Sequence, residues 1–499
     1  MSKLKKLASG IGWGAFSTIA VTGFQLMFMA VMARLLEPAD FGLVAVANVC
    51  LRFFSYFAQM GTAPAIIQKP TLESGDIAAA LTVSLGISLL FFILVQAIAP
   101  VFEYFYQMPQ LGNVIRALSL NFIIGGFSAI STGILQRNTS FKALAIIDVI
   151  SYVIGYGLVG LTAAYYDYEV WALVAAFMTQ MTISAVLSYA VARYPLSFIH
   201  TKKQRQHFFS YGGRYSFIGF LEFISSNLDA LIIGKLLGAA PAGYYNRAML
   251  LANLPVQQPA NILTKALFPI LSSLSTQHDK QAISFQLSTL LVGSYAFAIS
   301  AGIFIAASDI VIVLLGDKWL ESIPLLQILS LSVGPIYISH VAGVTLDSMN
   351  KLQLKLRIQL SMLIVLIGLL GYLAPKGTAL TIATAIVITE WLRLLLLAIK
   401  IPQLLSITFK QVIIISCCIF IIGACSAGMI QLVIYLLTFY NNISIIIRLS
   451  AEIFAGGLGG LLIGFFLMRY IAIHLSAIQY LIKHSPVFSK AFPKPIQGY

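Results

Sequence analysis

Long apolar runs, each near the length of a membrane-crossing helix and separated by short polar links, recur from one end of the chain to the other. A bilayer core about 30 Å thick needs roughly 20 mostly apolar residues per helix. That rule predicts fourteen spans, near 11–33, 41–64, 77–101, 112–135, 143–165, 170–192, 213–236, 241–270, 284–308, 322–346, 356–374, 378–399, 411–437 and 446–469. The runs are continuous rather than alternating, which excludes a transmembrane barrel. The expected fold is an all-α, polytopic membrane bundle. The first run is too long for a signal-peptide core and has no clear cleavage site after it, so it is expected to stay in the protein.

The polar links orient this bundle. With the N-terminus inside, twenty Lys and Arg fall on the cytoplasmic side, from Lys3 to Lys494, against five outside: Arg34, Lys235, Lys318, Lys376 and Arg448. That bias demands an even number of spans and places both termini in the cytoplasm. Composition agrees: 59% of residues are hydrophobic and 10% charged, where a soluble domain carries roughly 25% charged. The formal net charge of +14 therefore reads as cytoplasmic loop charge and not as a nucleic-acid surface. Cys50, Cys417, Cys418 and Cys425 all lie inside apolar runs, with no spacing that suggests a disulfide or metal site.

The longest cytoplasmic link divides the spans into six and eight. The expected organisation is a six-helix lobe at 1–193, a basic linker at 194–212, a second six-helix lobe at 213–400, two additional helices at 401–470 and a basic tail at 471–499. The halves repeat. Residues 35–42 align with 236–243 at an offset of 201, which also sets Arg34 on Lys235; further on, Leu118-Ser119-Leu120 matches Leu329-Ser330-Leu331 at 211. Six-span halves of equal orientation imply a parallel repeat about an axis along the membrane normal.

Within the spans, polar residues fall in stripes. Asn48, Arg52, Ser55 and Gln59 share one face of span two; Asn253, Gln257, Asn261 and Lys265 share one face of span eight. Span seven carries Glu222, Ser226 and Asp229, and span one carries Thr18, Thr22 and Gln25. Such stripes can simply glue helices together. Four of them, on the first two helices of each repeat, point instead to one water-filled cleft between lobes. Intramembrane charges normally face a cavity or a partner. Glu222 with Lys265, and Asp229 with Arg247, are possible ion pairs, whereas Arg52 has no acid at its depth. Asp148, in span five, can cap, pair with Lys142 or titrate. Glu390 with Arg393 and Arg448 with Glu452 read as local pairs. Pro255 and Pro259 deprive the carbonyls of Leu251 and Pro255 of their helical donors, so span eight is expected to kink beside the cleft. Gly456, Gly460 and Gly464 form a small-residue seam.

No phosphate-binding glycine loop, histidine pair or nucleophile–base constellation occurs. The chain reads as a secondary transporter and not an enzyme, without a cofactor or metal. Several segments resemble the polysaccharide transporter family, the colanic-acid exporter and O-antigen flippase branch of the multidrug/oligosaccharidyl-lipid/polysaccharide exporter superfamily. They are Gly238 through Ala248, Thr264-Lys265-Ala266-Leu267-Phe268-Pro269, Leu315-Gly316-Asp317-Lys318-Trp319, Phe41-Gly42-Leu43 and Ile66-Ile67-Gln68. The resemblance runs over about the first 400 residues.

It implies a bilobed flippase of the bacterial inner membrane that works by alternating access on an undecaprenyl-pyrophosphate repeat unit for surface polysaccharide or lipopolysaccharide. The implied partners are the lipid-linked oligosaccharide, membrane lipid, and the polymerase and glycosyltransferases of the same pathway; nucleic acid is not among them. The stripes add candidate substrate contacts at Gln25, Asn48, Arg52, Gln59, Arg247, Asn253, Gln257, Asn261 and Lys265, and candidate ion-coupling acids at Asp148, Glu222 and Asp229. Two alternatives stay open: a multidrug or metabolite antiporter of the same superfamily, which the cationic stripes disfavour, and a peptidoglycan-precursor flippase, whose cargo has the same charge.

Overall fold

The computed structural model describes residues 3–58, 65–67, 69, 71–201, 224, 227–273, 277–373, 377–439 and 444–471. Among these the chain is helical and contains no strand. The helices are α1 (Lys3–Leu35), α2 (Pro38–Ala58), α3 (Ser74–Tyr106), α4 (Leu111–Arg137), α5 (Phe141–Tyr165), α6 (Val170–Ala192), α7 (227–237) and α8 (Ala239–Ser273). They continue as α9 (His278–Leu314), α10 (Ser322–Ser348), α11 (Leu352–Leu373), α12 (Ala379–Leu405), α13 (Phe409–Leu437) and α14 (Ile445–Ile471). Each expected span coincides with one of them over its described residues. Eleven helices among the described residues are long and apolar enough to cross a membrane; α7, α8 and α14 are not in that set. The protein is a multi-pass membrane protein.

Two compact units make up the chain: Met1–Asn246 with Leu314–Trp319, and Arg247–Val313 with Leu320–Tyr499. In the first, α3 and α4 form an antiparallel pair with Ser84 Oγ donating to the Gly126 carbonyl at 2.9 Å. Ala79, Ala80, Leu81 and Ile130 pack with Ile66 and Tyr194 into one buried cluster. Arg137 crosses from α4 to the carbonyls of Ile66 and Lys69, tying down the end of the short helical turn at 65–67. α5 widens to π-helical geometry over Val153–Gly160. There a Cβ on Gly155 would lie 2.7 Å from the Ala176 carbonyl of α6, so the glycine permits a backbone approach that no other residue allows.

The segments aligned at an offset of 201 lie against each other in this unit. A Cβ on Gly42 would overlap the Ala239 carbonyl, and one on Gly243 would overlap the Pro38 carbonyl. Around this contact the surroundings repeat. Trp319, fully buried, donates from Nε1 to the Ala33 carbonyl at 2.8 Å; at the matching position Gly234 faces Met108. The Arg34 stem lies at Gly316, while Lys235 sits 4.5 Å from the Phe105 ring centre and donates to the Phe105 carbonyl. Residues 105 and 108 map on 316 and 319 at the offset of 211. Phe41 and Tyr244 pack edge-on against Trp319 at 5.2 and 5.9 Å.

In the second unit, Ser300 Oγ of α9 donates to the Ser330 carbonyl of α10 at 2.6 Å. Phe297, Trp391 and Phe420 join α9, α12 and α13 in an aromatic cluster. The expected glycine seam brings α14 close to α13: a Cβ on Gly456 would lie 2.8 Å from Ile430 and one on Gly460 2.9 Å from Ser426 Oγ. In lipid such approach is stabilised by dispersion contacts rather than by hydrophobic transfer.

Candidate functional site

The candidate residues begin on α2. Helical pitch sets Asn48, Arg52 and Ser55 along one stripe, between the buried Leu51 and Phe54 on the packing side. Asn48 is half-buried and Arg52 exposed. Arg52 makes no ion pair with a described residue. Ser55 turns back on its own helix, donating to the Leu51 carbonyl at 3.0 Å, which leaves Asn48 and Arg52 as the described residues of this stripe to be weighed as ligand contacts. Gln59 lies outside the described residues. On α1, Thr18, Thr22 and Gln25 are half-buried, and Phe16, Ile19 and Met27 are exposed.

The second repeat is only partly described. Glu222 and Ser226 lie outside the described residues, as do the side chains of Asn261 and Lys265. Asp229 on α7 is buried and accepts a hydrogen bond from the Tyr245 hydroxyl on α8. Tyr245 was not a candidate in the sequence, since a tyrosine in an apolar helix reads as packing. Arg247, two residues on, is half-buried. Asn253 is half-buried and donates to the Met249 carbonyl one turn back at 3.0 Å; Gln257 is exposed.

The consequence of Pro259 is met by a neighbouring helix. α8 runs unbroken past both, and the Pro255 carbonyl, denied a donor by Pro259, accepts from the Tyr295 hydroxyl of α9 at 3.0 Å. Tyr337 of α10 approaches the Asn253 carbonyl at 3.5 Å. Polar capture from neighbouring helices is how a membrane helix tolerates proline.

Asp148 on α5 is exposed and lies by the Ser17 hydroxyl of α1; Lys142 sits over the Trp13 ring at 5.2 Å. The local pairs read from spacing are present, Arg393 to Glu390 at 3.0 Å and Arg448 to Glu452 at 3.1 Å. A third partner, Asp309 of α9, joins the latter at 2.8 Å. A cavity of about 660 Å³ at the α3–α4 corner is lined by Glu103, Tyr104, Gln107 and Arg116 among others; none of the described candidate residues lines it. No metal-ligating cluster of His, Cys, Asp or Glu occurs among the described residues.

Chemically, an exposed guanidinium flanked by a carboxamide suits a phosphate-bearing ligand. Arginine offers a planar fork of donors that stays charged at any physiological pH, and hydrogen bonds to an ionised acceptor are roughly twice as strong as neutral ones.

Residues 31–324 match the family model described as polysaccharide biosynthesis protein. The chain is 25% identical over 374 residues to an uncharacterized membrane protein in the cps region of Klebsiella pneumoniae, covering 74% of this chain and 76% of the relative. It is 23% identical over 332 residues to the lipopolysaccharide biosynthesis protein WzxC of Escherichia coli, covering 66% and 67%. Over a similar 332 residues it is 25% identical to the teichuronic acid biosynthesis protein TuaB of Bacillus subtilis, covering 66% and 68%. Among solved structures, the fold is similar to the lipid II flippase MurJ in its inward closed conformation, with a TM-score of 0.70 at 14% identity over 91% of this chain and 98% of that one. An inward-facing multidrug resistance MATE transporter of the MOP superfamily gives 0.59 at 14% identity over 79% and 98%.

Proposed function

The chain belongs to the polysaccharide biosynthesis protein family, and we propose that it carries a lipid-linked oligosaccharide across the bacterial inner membrane for surface polysaccharide synthesis. It acts as a transporter and not as an enzyme. The relatives named for lipopolysaccharide and teichuronic acid biosynthesis support the cargo class, and the fold shared with a lipid II flippase and a multidrug resistance transporter supports the mode of action.

The observation that carries this reading is Arg52. A cation within a membrane helix is costly unless it meets a partner or water, and Arg52 is exposed on α2 beside Asn48 without an acid from a described residue. The pyrophosphate of a polyprenyl carrier is a multiply charged anion with the same problem in reverse. Each removes the other's cost of leaving bulk water. Arg247 and Lys265 add cations on α8, and Asn253, Gln257, Asn261, Gln59 and Gln25 provide amides suited to sugar hydroxyls. The prenyl tail stays in lipid. The two repeats act as lobes that alternate access, with both termini cytoplasmic, and Glu222, Asp229 and Asp148 remain the acids through which ion coupling would act.

The test is export in cells that lack the gene and carry a plasmid copy. Arg52→Ala and Arg52→Gln are expected to abolish surface polysaccharide at unchanged membrane abundance, with Arg52→Lys retaining part of it. Full export by Arg52→Ala sinks the reading. The peptidoglycan-precursor alternative is checked in parallel: rescue of cells depleted of their lipid II flippase would favour it.

A further inference from the structure

We propose that Asp309 of α9 and Glu452 of α14, gathered around Arg448, form a proton-binding site. Arg448 Nε lies 2.8 Å from Asp309 Oδ2 and 3.1 Å from Glu452 Oε1. Glu452 is 1% exposed and Asp309 6%. The two carboxyls are also within hydrogen-bonding reach of each other.

Charge and donors both fall one short. Two carboxylates on one guanidinium leave a surplus negative charge inside a membrane protein, where an unpaired charge is costly. Glu452 Oε2 and Asp309 Oδ2 are both buried, and neither receives a hydrogen bond from a described residue. The group facing Glu452, the Asp309 carboxyl, brings a donor only when one of the two acids carries a proton. A single proton shared between them supplies that donor and neutralises the cluster. Adjacent carboxylates holding one proton in common are a general consequence of like charges at contact.

Among the described residues, the charges acting on Glu452 are Asp309 and Arg448. Asp309 is the sole Asp, Glu, Lys or Arg in residues 282–314 of α9, and residues 423–437 of α13 carry Cys425 and Tyr435 as their titratable groups. On α10, Glu321 precedes the first turn and is exposed.

The site joins α14 to α9. With the proton bound, the cluster is neutral and closed by hydrogen bonds. Once the proton has left to water, two carboxylates repel across the same contact. The proposal is independent of the cargo and of Arg52.

Infrared titration of the full-length protein in lipid nanodiscs tests it. The wild type is expected to show a protonated-carboxyl C=O component at neutral pH that disappears on alkalinisation. Asp309→Asn and Glu452→Gln should each abolish that component, because the remaining acid then pairs one to one with Arg448 and ionises. Arg448→Gln should raise it about twofold, since both acids then protonate. Exposed Asp279→Asn serves as the unaffected control. A component lost in only one of the two acid variants means a lone buried acid and overturns the shared site. An absent component, or an unchanged spectrum in all three variants, overturns proton binding there altogether. Both acid variants are near-isosteric; if either fails to fold, the other together with Arg448→Gln still decides.

Discussion

Gly42 of α2 and Gly243 of α8 meet backbone to backbone, the main chain of each helix filling the space that a Cβ on the other's glycine would occupy. A methyl on Gly42 overlaps the Ala239 carbonyl, and one on Gly243 overlaps the Pro38 carbonyl. Main chain cannot swing aside as a side-chain tip can, so relief requires the two helix starts to separate. Overpacking of this kind costs about 1–3 kcal/mol. Gly42→Ala and Gly243→Ala are each expected to lower the thermal midpoint of the purified protein. Gly428→Ala, with nothing within 4 Å of the added methyl, should be neutral or stabilising, because alanine is the better helix former by roughly 1 kcal/mol. Equal midpoints for all three would mean that the close approach is not a feature of the folded protein.

Beside that contact, two neighbouring residues predict opposite outcomes. Lys318 pairs with Glu37 at 2.7 Å, but both side chains are largely in the open, 42% and 65% exposed. Exposed pairs contribute about 0–1 kcal/mol, so Lys318→Gln should scarcely move the midpoint. Trp319 is fully buried against Phe41 and Tyr244 and bonded to Ala33. Trp319→Ala is expected to cost about 3–5 kcal/mol. Trp319→Phe keeps most of the packing and loses the Nε1 hydrogen bond, for an intermediate loss. Denaturation of the three variants in detergent checks the ranking.

Asp229 and Tyr245 separate structure from coupling. Tyr245→Phe removes the hydroxyl that serves a buried carboxyl, and an orphaned buried acceptor costs about 1–3 kcal/mol or more if charged. Asp229→Asn keeps an oxygen to accept from Tyr245 while deleting the titratable group. If Asp229 takes part in ion coupling, Asp229→Asn will fold normally and lose export, whereas Tyr245→Phe will lose stability first. Normal export by Asp229→Asn assigns the acid to packing.

The span positions are legible in sequence because a bilayer imposes a length, and the Arg448–Glu452 pair because an i, i+4 spacing puts both on one helix face. The repeat is legible at Gly42 and Gly243 for a different reason: a backbone contact between equivalent helices admits glycine alone, so the identity survives where other positions drift. Asp309 is not legible. Beyond the first turn it is the one acid of a helix of 37 residues, and its partners lie on α14, far along the chain. The Tyr245 hydroxyl is hidden likewise, since an apolar run conceals which of its aromatics has a buried acid to satisfy. Spacing along one helix predicts partners on that helix; partners on another follow only from packing.

The proline effect on α8 permits a sharper experiment, because the lost hydrogen bond and its replacement can be exchanged. Pro259 has no N–H for the Pro255 carbonyl, and Tyr295 supplies a hydroxyl at 3.0 Å instead. Tyr295→Phe should therefore leave that carbonyl without a donor, at a cost of about 1–3 kcal/mol. Pro259→Ala restores a main-chain donor one turn on, and the carbonyl has room for it, having two lone pairs. The double variant should thus be more stable than Tyr295→Phe alone, since either donor suffices. The coupling between the two changes, measured as a double-mutant cycle on unfolding in detergent, is expected to be about 0.5–3 kcal/mol, the range for groups sharing one hydrogen-bonding partner. Additive effects would mean that the Tyr295 hydroxyl and the missing Pro259 N–H do not serve the same oxygen. Loss of export in Pro259→Ala, with Tyr295→Phe exporting normally, would assign the proline to the movement of the helix and the tyrosine to its stability.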